Sequence, residues 1–188
     1  MTSSIFEAVV IGASAGAVDA LSDILPALPP SFPIPIIIVV HIPPQKPSIM
    51  ADLFDAKCSL LVKEAEDKEP LVRGTIYFAP PDYHLLVEAA KTLALSNEEP
   101  VLFSRPSIDV LFESAADAYG PGLLAIVLTG ANHDGSEGLR AVVDAGGAGL
   151  VQDPETAFSS TMPEAAIKAC PGAQMLSLAA IADYLGKV

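Results

Sequence analysis

Short apolar runs alternate along the chain with longer segments in which apolar residues recur every three or four positions. The short runs predict strands at 6–11, 35–41, 60–64, 122–128, 148–152 and 174–178. The longer segments predict helices at 16–27, 46–56, 106–119, 135–145, 162–170 and 179–186. Such alternation is typical of βαβ units, whose apolar strands form a sheet that helices cover on both faces. We therefore expect a three-layer α/β fold around a mostly parallel, doubly wound sheet of the Rossmann-like kind.

One stretch, near 74–96, breaks this alternation. The segments 75–79 and 84–87 both have strand patterns, and Pro80-Pro81-Asp82 between them is typical of a turn. A further alternation over 92–96 could add a third strand. The stretch predicts an antiparallel hairpin insertion, placed as a flap or an edge on the main sheet.

Composition narrows the class of partner. The 188 residues suit a single domain over 1–188, and 10 Lys and Arg against 23 Asp and Glu give a net charge of −13. So acidic a chain disfavours nucleic acid as a partner, because binding to phosphates requires basic residues. The longest apolar runs, such as 36–40, are far shorter than the roughly 20 residues of a membrane-spanning helix. No signal peptide pattern is present, so we expect a cytoplasmic protein without direct membrane insertion.

The two cysteines, Cys58 and Cys170, stand alone in the sequence and form no CxxC pair. Isolated cysteines favour free thiols in a reducing compartment over a disulfide or a metal site. The sequence also contains no P-loop and no H-E-x-x-H motif. We therefore expect neither a metal nor another cofactor.

The segment Gly12-Ala13-Ser14-Ala15-Gly16 joins the first predicted strand to the first predicted helix. A serine at such a corner can be exposed as a nucleophile, as in other G-x-S-x-G turns. The same corner can hold a phosphate at the start of the helix. Dinucleotide binding is the weaker interpretation, because the G-x-G-x-x-G pattern is incomplete and none of the four tyrosines begins a Tyr-x-x-x-Lys motif.

Three residues at predicted strand ends match the chemistry of acyl transfer. In a parallel α/β sheet, ligands bind outside the carboxyl ends of the strands. Ser14, His41 and Asp134 follow three different predicted strands there. An imidazole can take the proton of a serine hydroxyl, and a carboxylate can orient that imidazole. The order Ser, His, Asp differs from the α/β-hydrolases, in which the acid precedes the histidine.

Each of the three residues also has a purely structural interpretation at this point. Ser14 suits a tight turn, His41 could cap a buried strand end, and Asp134 could cap the helix that follows it. His133 and His84 compete with His41 as a base. His133 adjoins Asp134 in the sequence, where neighbouring side chains usually point apart, and His84 lies in the predicted hairpin. We therefore prefer His41.

Further motifs occur in order along almost the whole chain. They are VIGASAG at 10–16, VHIPP at 40–44, GTIYFAPPDYH at 74–84, RPSIDVLF at 105–112, VLTGANHDG at 127–135, QDP at 152–154 and Met162-Pro163. Together they resemble the catalytic domain of the chemotaxis receptor protein-glutamate methylesterases, the CheB family. The resemblance implies a cofactor-free Ser-His-Asp esterase, with Ser14 as nucleophile, His41 as general base and Asp134 as the orienting acid.

The resemblance also implies the substrate. Members of this family hydrolyse glutamate methyl esters on the cytoplasmic helices of chemoreceptors, releasing methanol, and often deamidate receptor glutamines through the same acyl-enzyme. Many members carry an N-terminal receiver domain, which we do not expect within this sequence because its first predicted strand begins at position 6. We therefore expect any control by phosphorylation to act in trans, through a separate regulatory protein.

Two departures from the family pattern lie beside the expected site. Many members have threonine where this chain has Ala15, and Gly-Met-Gly where it has Gly130-Ala131-Asn132. A backbone N–H at the Met position helps to bind the oxyanion, so the resemblance implies an oxyanion site at Ala15 and Ala131. Asn132 could adopt the left-handed conformation of the glycine that it replaces. The departures leave an alternative open, a catalytically weak or inactive signalling adaptor that keeps the fold.

Overall fold

The computed structural model describes residues 5–43 and 48–188. In these ranges the strands are β1 (Ala8–Ala13), β2 (Ile36–Val40), β3 (Leu61–Glu64), β4 (Thr75–Phe78), β5 (His84–Val87), β6 (Leu93–Ser96), β7 (Leu123–Val127), β8 (Ala148–Gln152) and β9 (Gln174–Leu176). The helices are α1 (Ala17–Ile24), α2 (Met50–Asp55), α3 (Ile108–Tyr119), α4 (Ser136–Asp144), α5 (Thr161–Ala169) and α6 (Leu178–Leu185). Seven strands form one sheet in the order β3-β4-β2-β1-β7-β8-β9, and every neighbouring pair is parallel.

The strands of this sheet contribute to two cores, one on each face. On β1, Val9 and Ile11 lie in one core, which also contains apolar residues of α1, α2 and α6. Val10, which points to the opposite face, lies in the second core with residues of α3, α4 and α5. All six residues of β1 are buried, as are all five of β2 and of β7. The predicted three-layer α/β fold is therefore confirmed, and apolar burial on both faces explains the apolar runs.

The predicted hairpin near 74–96 is confirmed as an insertion, but one of its strands was assigned wrongly. Segment 75–79 was expected to pair with 84–87, whereas β4 lies between β2 and β3 in the parallel sheet. The antiparallel pair is β5 with β6 alone. All four β4 residues are buried, so the strand requires cover on both faces, which a hairpin at the edge of the fold does not provide.

Two element boundaries differ from the predictions. The helix predicted at 16–27 ends at Ile24 as an α-helix, and a 3-10 turn that contains Pro26 follows it. The helix predicted at 46–56 is α2, which begins at Met50 and ends at Asp55. Positions 46 and 47 of that prediction lie outside the described residues. Cys58 and Cys170 are free thiols as predicted, and burial raises the pKa of each. Among the helices just given, none has the length and apolar character needed to cross a lipid bilayer.

Candidate active site

The strand order places three loops side by side at the carboxyl edge of the sheet. Strands β2, β1 and β7 are neighbours, so the loops that follow Val40, Ala13 and Val127 meet there. These loops carry His41, Ser14 and Asp134 respectively. The parallel sheet therefore brings the three predicted site residues to one region of the surface.

Ser14 lies at a sharp corner between β1 and α1. Its backbone N–H donates to the carbonyl of Thr129, and its own carbonyl accepts from the N–H of Ala17. The corner depends on Gly16, which has φ +85° and caps α1. A Cβ at Gly16 would also lie 2.5 Å from Cβ of Phe158. Backbone conformation and close packing both require glycine here, and together they fix the position of Ser14.

His41 faces Asp134 across the site. Its backbone N–H donates to the carbonyl of Ala13, which holds the residue beside the end of β1. Its side chain is mostly buried, and Nε2 lies 2.7 Å from Oδ2 of Asp134, which is fully buried. His41 therefore does not cap its strand end through backbone groups alone, because its ring is paired with a carboxylate.

Asp134 accepts four hydrogen bonds. Besides His41, the donors are the backbone N–H groups of Ile108 and Asp109, at 2.7 and 2.9 Å, and the hydroxyl of Ser107, at 3.0 Å. These donors form the N-terminus of α3, whose dipole also favours a negative charge. The alternative in which Asp134 caps its own helix is wrong, because the capping residue of α4 is Gly135.

These contacts decide the charge state of Asp134. Burial raises its pKa, but the hydrogen bonds from His41 and from the backbone of Asp109 and Ile108 lower it by more. The net effect lowers the pKa below its ordinary value of 3.8, so the carboxyl is ionised at neutral pH. An ionised Asp134 holds the proton of the imidazole on Nε2, which leaves Nδ1 of His41 as the free ring nitrogen.

Ser14 and His41 line the same cavity, of about 280 Å3, together with residues of α1 and Met50 of α2. In the part of the chain that the structure describes, no hydrogen bond joins Ser14 Oγ to the ring of His41. Such bonds are often long before substrate binds and tighten in the complex. Ser14 and His41 thus share a cavity that a small substrate group could enter.

The two competing histidines lie elsewhere. His84 is buried, its Nδ1 accepts from the N–H of Ser107, and its Nε2 donates to the carbonyl of Glu99. Both ring nitrogens are occupied by these partners, so His84 offers no nitrogen to act as a base on Ser14. His133 is exposed beside α5 and lines a separate cavity with Glu137 and Lys168. Of the three histidines, His41 alone lines the cavity that contains Ser14.

The two residues expected to bind an oxyanion both have an unbonded backbone N–H group in the described structure. Within residues 5–43 and 48–188, the backbone N–H groups of Ala15 and Ala131 have no hydrogen-bond acceptor. The left-handed conformation considered for Asn132 does not occur, because the described non-glycine residues with positive φ do not include it. Its Oδ1 instead accepts from the N–H of Asp134, a local turn that shapes the loop.

Several polar residues to which the motifs assign no role also hold this site in place. Thr129 accepts from Ser14 N–H through its carbonyl and donates through Oγ1 to the carbonyl of Ala15. Buried Gln152 accepts from the N–H of Thr129 through Oε1. Ser107 holds Asp134, as described above. All three lie inside the quoted motifs, and their polar side chains within buried, apolar segments were the available signal.

Asp109 holds the loop that carries Asp134 from the other side. Its Oδ1 accepts from the backbone N–H groups of Gly135 and Gly138, at 3.0 and 2.7 Å. Asp134 and Asp109 therefore cap each other's helices, Asp134 at α3 and Asp109 at α4. Burial raises the pKa of Asp109 to about 6, the bond from Gly138 opposes this, and the charge of Asp134 adds to it.

The raised pKa of Asp109 predicts a particular dependence of stability on pH. The carboxyl titrates near 3.8 in the unfolded chain and near 6 in the folded protein, so the folded state binds more protons between these values. The free energy of unfolding should therefore fall as pH rises from 4 to 6 through this group. Urea unfolding across this range should show a shallower fall for Asp109→Asn than for wild type. Asp117→Asn, an exposed change on the same helix, should keep the slope of wild type, and an equal slope in all three proteins would contradict the assignment.

The family model described as CheB methylesterase matches residues 9–185, which includes all the residues of the site. The chain belongs to the CheB methylesterase family. The resemblance drawn from the motifs is thereby confirmed, and so is the expectation of a hydrolase.

Relatives of known name and structure agree with this family. A protein of Leptospira interrogans is 48% identical over 178 residues, which cover 95% of this chain and 92% of the relative. Its name includes both protein-glutamate methylesterase and protein-glutamine glutaminase. A protein-glutamate methylesterase/protein-glutamine glutaminase of Maricaulis maris is 40% identical, over 92% of this chain and 44% of its own length. The crystal structure of the Thermotoga maritima CheB methylesterase catalytic domain matches with a TM-score of 0.93 and 34% identity, over 97% of this chain and 98% of that one.

The fold of the CheB methylesterase catalytic domain thus extends over nearly the whole chain. A metal site is not evident in the described ranges, where no three His, Cys, Asp or Glu side chains form a group suited to an ion. The groups that the structure places at the site are Ser14, His41, Asp134 and the polar residues that surround them.

Proposed function

We propose that this protein hydrolyses glutamate γ-methyl esters on the cytoplasmic helices of chemoreceptors, and that it works in the cytoplasm by a Ser-His-Asp mechanism. The observation that carries the proposal is the pairing of His41 with the buried carboxylate of Asp134, in a cavity that also contains Ser14. Membership of the CheB methylesterase family supports the ester as substrate. The same site deamidates receptor glutamines, as the names of the relatives suggest.

The first half of the reaction forms an acyl-enzyme. Oγ of Ser14 attacks the ester carbonyl carbon while Nδ1 of His41 takes the hydroxyl proton. The carboxylate of Asp134 stabilises the imidazolium that forms. The backbone N–H groups of Ala15 and Ala131 bind the oxyanion, a contribution of about 10²–10³ in rate for each donor in other enzymes. The carbon–oxygen bond to the methoxy group then breaks, and His41 returns the proton, so methanol leaves.

The second half releases the product. His41 takes a proton from a water molecule, which attacks the acyl carbon, and the bond to Ser14 breaks. Free glutamate remains on the receptor, and Ser14 recovers its proton. With a glutamine substrate, the group that leaves in the first half is ammonia, and the second half is unchanged.

The substitutions at Ala15 and Ala131 are compatible with this chemistry, because only backbone N–H groups are required there. Thr129 supports the loop of Ser14 by its bond to the carbonyl of Ala15, which orients the peptide that follows the serine. The buried network therefore supplies positional support that does not depend on a threonine at position 15.

Methanol release from a chemoreceptor fragment, methylated beforehand by a receptor methyltransferase, tests the proposed reaction. We expect wild-type protein to release methanol from this fragment, and ammonia from a fragment with glutamine at the same positions. An unmethylated fragment with glutamate at those positions is the control and should release neither. A wild-type protein that turned over neither substrate would overturn the proposal.

Ser107 offers a test of how Asp134 is held. Its hydroxyl donates to Asp134 and accepts from the N–H of Val110, so Ser107→Ala removes a bond to the carboxylate and a helix cap. We expect methanol release to fall about tenfold, since a hydrogen bond to a charged group contributes about 1.5–3 kcal/mol. Steady-state kinetics with the methylated fragment would measure this.

Ser177→Ala is the matched control. Ser177 caps α6 and accepts from the N–H of Ala180 in the same way, and its hydrogen bonds in the described structure do not involve Ser14, His41 or Asp134. Each variant should lose about 1 kcal/mol of stability from its cap. Only Ser107→Ala should also lose activity, and equal kinetics for the two variants would mean that Ser107 is a helix cap alone.

A further inference from the structure

The segment before α3 contains a turn that presents an aromatic ring to solvent. Val101 and Ser104 exchange two backbone hydrogen bonds, at 3.0 and 2.8 Å, around Leu102 and Phe103. Both central residues have positive φ, 47° and 63°. Two-residue turns of this kind favour asparagine and glycine, so two bulky residues are costly here. The ring of Phe103 is fully exposed, so no buried contact in the described structure offsets that cost.

The turn is held firmly in place. Arg105 donates from Nε and Nη2 to Oδ1 of Asp82, and from Nη1 to the carbonyls of Asn97 and Glu98. The guanidinium thus ties the segment before the turn to the loop that precedes β5. The exposed ring therefore belongs to a loop that the hydrogen bonds of Arg105 hold against the loop before β5.

The turn forms one wall of a cavity of about 320 Å3 beside the active site. His41, Ile42 and Pro43 also line this cavity, and the same three residues line the cavity of Ser14. Pro100, Phe103 and Pro106 complete the apolar lining. The charged residues in the described lining are Asp82 and Arg105, and they pair with each other. The described lining of this second cavity is therefore mostly apolar, its two charges are paired, and it shares His41 with the first cavity.

We propose that the cavity beside Phe103 is a subsite for an apolar side chain of the protein substrate, and that Phe103 packs across that side chain. This inference rests on the proposed function. A glutamyl group in the cavity of Ser14 belongs to a polypeptide, so a neighbouring part of that polypeptide must lie against the adjacent cavity. On a helix, side chains three or four residues apart lie about 5–6 Å from each other on one face. The subsite thus selects receptor sites that have an apolar residue about one helical turn from the modified glutamate.

The pairing of Asp82 with Arg105 in the described lining favours an apolar occupant over a charged one. A carboxylate in the substrate would have to displace Asp82 from Arg105, and a cation would have to displace Arg105 from Asp82. Burying either charge without a partner is costly, whereas an apolar group gains by leaving water. An apolar occupant also fits the exposure of Phe103, because an exposed ring buries apolar surface only when a partner packs against it.

The experiment compares Phe103→Ala with wild type on two substrates, the methylated receptor fragment and a small chromogenic ester that reaches only the cavity of Ser14. We expect KM for the fragment to rise on the order of tenfold, with kcat within about twofold, as for an aromatic contact residue. Hydrolysis of the small ester and the unfolding midpoint should not change. Phe103→Leu, which keeps an apolar side chain, should recover part of the affinity.

Met175→Ala is the control for loss of an exposed apolar side chain. Met175 is about half exposed on β9, the edge strand at the far side of the sheet from β4. It should behave as wild type with both substrates. A receptor fragment in which the apolar residue one turn from the modified glutamate is changed to aspartate should bind wild type more weakly. With this fragment, Phe103→Ala should weaken binding little further.

The outcomes separate this inference from the proposed function. Wild type active on the fragment, with Phe103→Ala equal to it, would overturn the subsite and leave the proposed function intact. An equal loss on both substrates would also overturn it, since Phe103 would then act through the reacting groups. Wild type active on the small ester but not on any methylated fragment would overturn the proposed function, and the subsite with it.

Discussion

Ser14→Ala should lower the rate of methanol release from methylated receptor by at least about 10⁴-fold. The hydroxyl is the atom that bonds to the acyl group, and removal of the nucleophile from a serine hydrolase costs about 10⁶ in kcat in the best measured case. The alanine keeps the backbone that Thr129 and Gly16 hold, so the fold and its unfolding midpoint should be unchanged. Rates should be measured with the methylated fragment at saturating concentration.

Ser22→Ala is the matched control for this change. Ser22 is also a serine near the start of the chain, on α1, and its hydroxyl donates to the carbonyl of Val18 within that helix. Its removal should leave methanol release unaltered. Covalent catalysis by Ser14 would be refuted if Ser14→Ala retained more than a few per cent of the wild-type rate.

Asp134→Asn should lower kcat by about 10⁴-fold, the effect of the same change in a serine protease. The four donors around the carboxylate suit an acceptor with no hydrogen of its own. An amide must turn an NH2 group toward at least one of these donors, so His41 loses its orientation and the imidazolium loses its counter-charge. Asp117→Asn, an exposed change on α3, is the control and should keep wild-type kinetics.

The same change should also alter stability. The folded-state pKa of Asp134 is lowered, so its carboxylate stabilises the protein above the unfolded value of 3.8, and this contribution is lost as pH falls through the folded pKa. At neutral pH, Asp134→Asn should therefore lower the urea midpoint. A variant with the wild-type midpoint and the wild-type rate would mean that the contacts of Asp134 are incidental.

The position of the candidate site at the carboxyl edge of the sheet could be predicted from the sequence. Ser14, His41 and Asp134 each follow an apolar run, and parallel strands end at one edge of the sheet. What sequence could not supply was the neighbour order β2-β1-β7, which decides that these particular loops meet. The pairing of His41 with Asp134 depends on that order and on α3, whose N-terminus brings three of the four donors to the carboxylate.

The remaining differences arise from contacts between distant segments. Strand β4 resembled half of a hairpin because 84–87 follows it closely, whereas its partners β2 and β3 are fixed by burial on both faces. Asp109 lies within the helix predicted at 106–119, and no local pattern shows that its side chain holds the N-terminus of α4. The turn at Leu102 and Phe103 could not be predicted from the sequence either, because it lacks the asparagine and glycine that are typical of such turns.

The central claim is that Ser14 is a nucleophile which His41 activates. Treatment of the protein with a fluorophosphonate, followed by mass spectrometry of its peptides, tests this directly. We predict a single phosphonylated residue, Ser14, in wild type, with labelling at least about 100-fold slower in His41→Ala. Labelling at another residue, or an unreactive wild-type protein, would contradict the account.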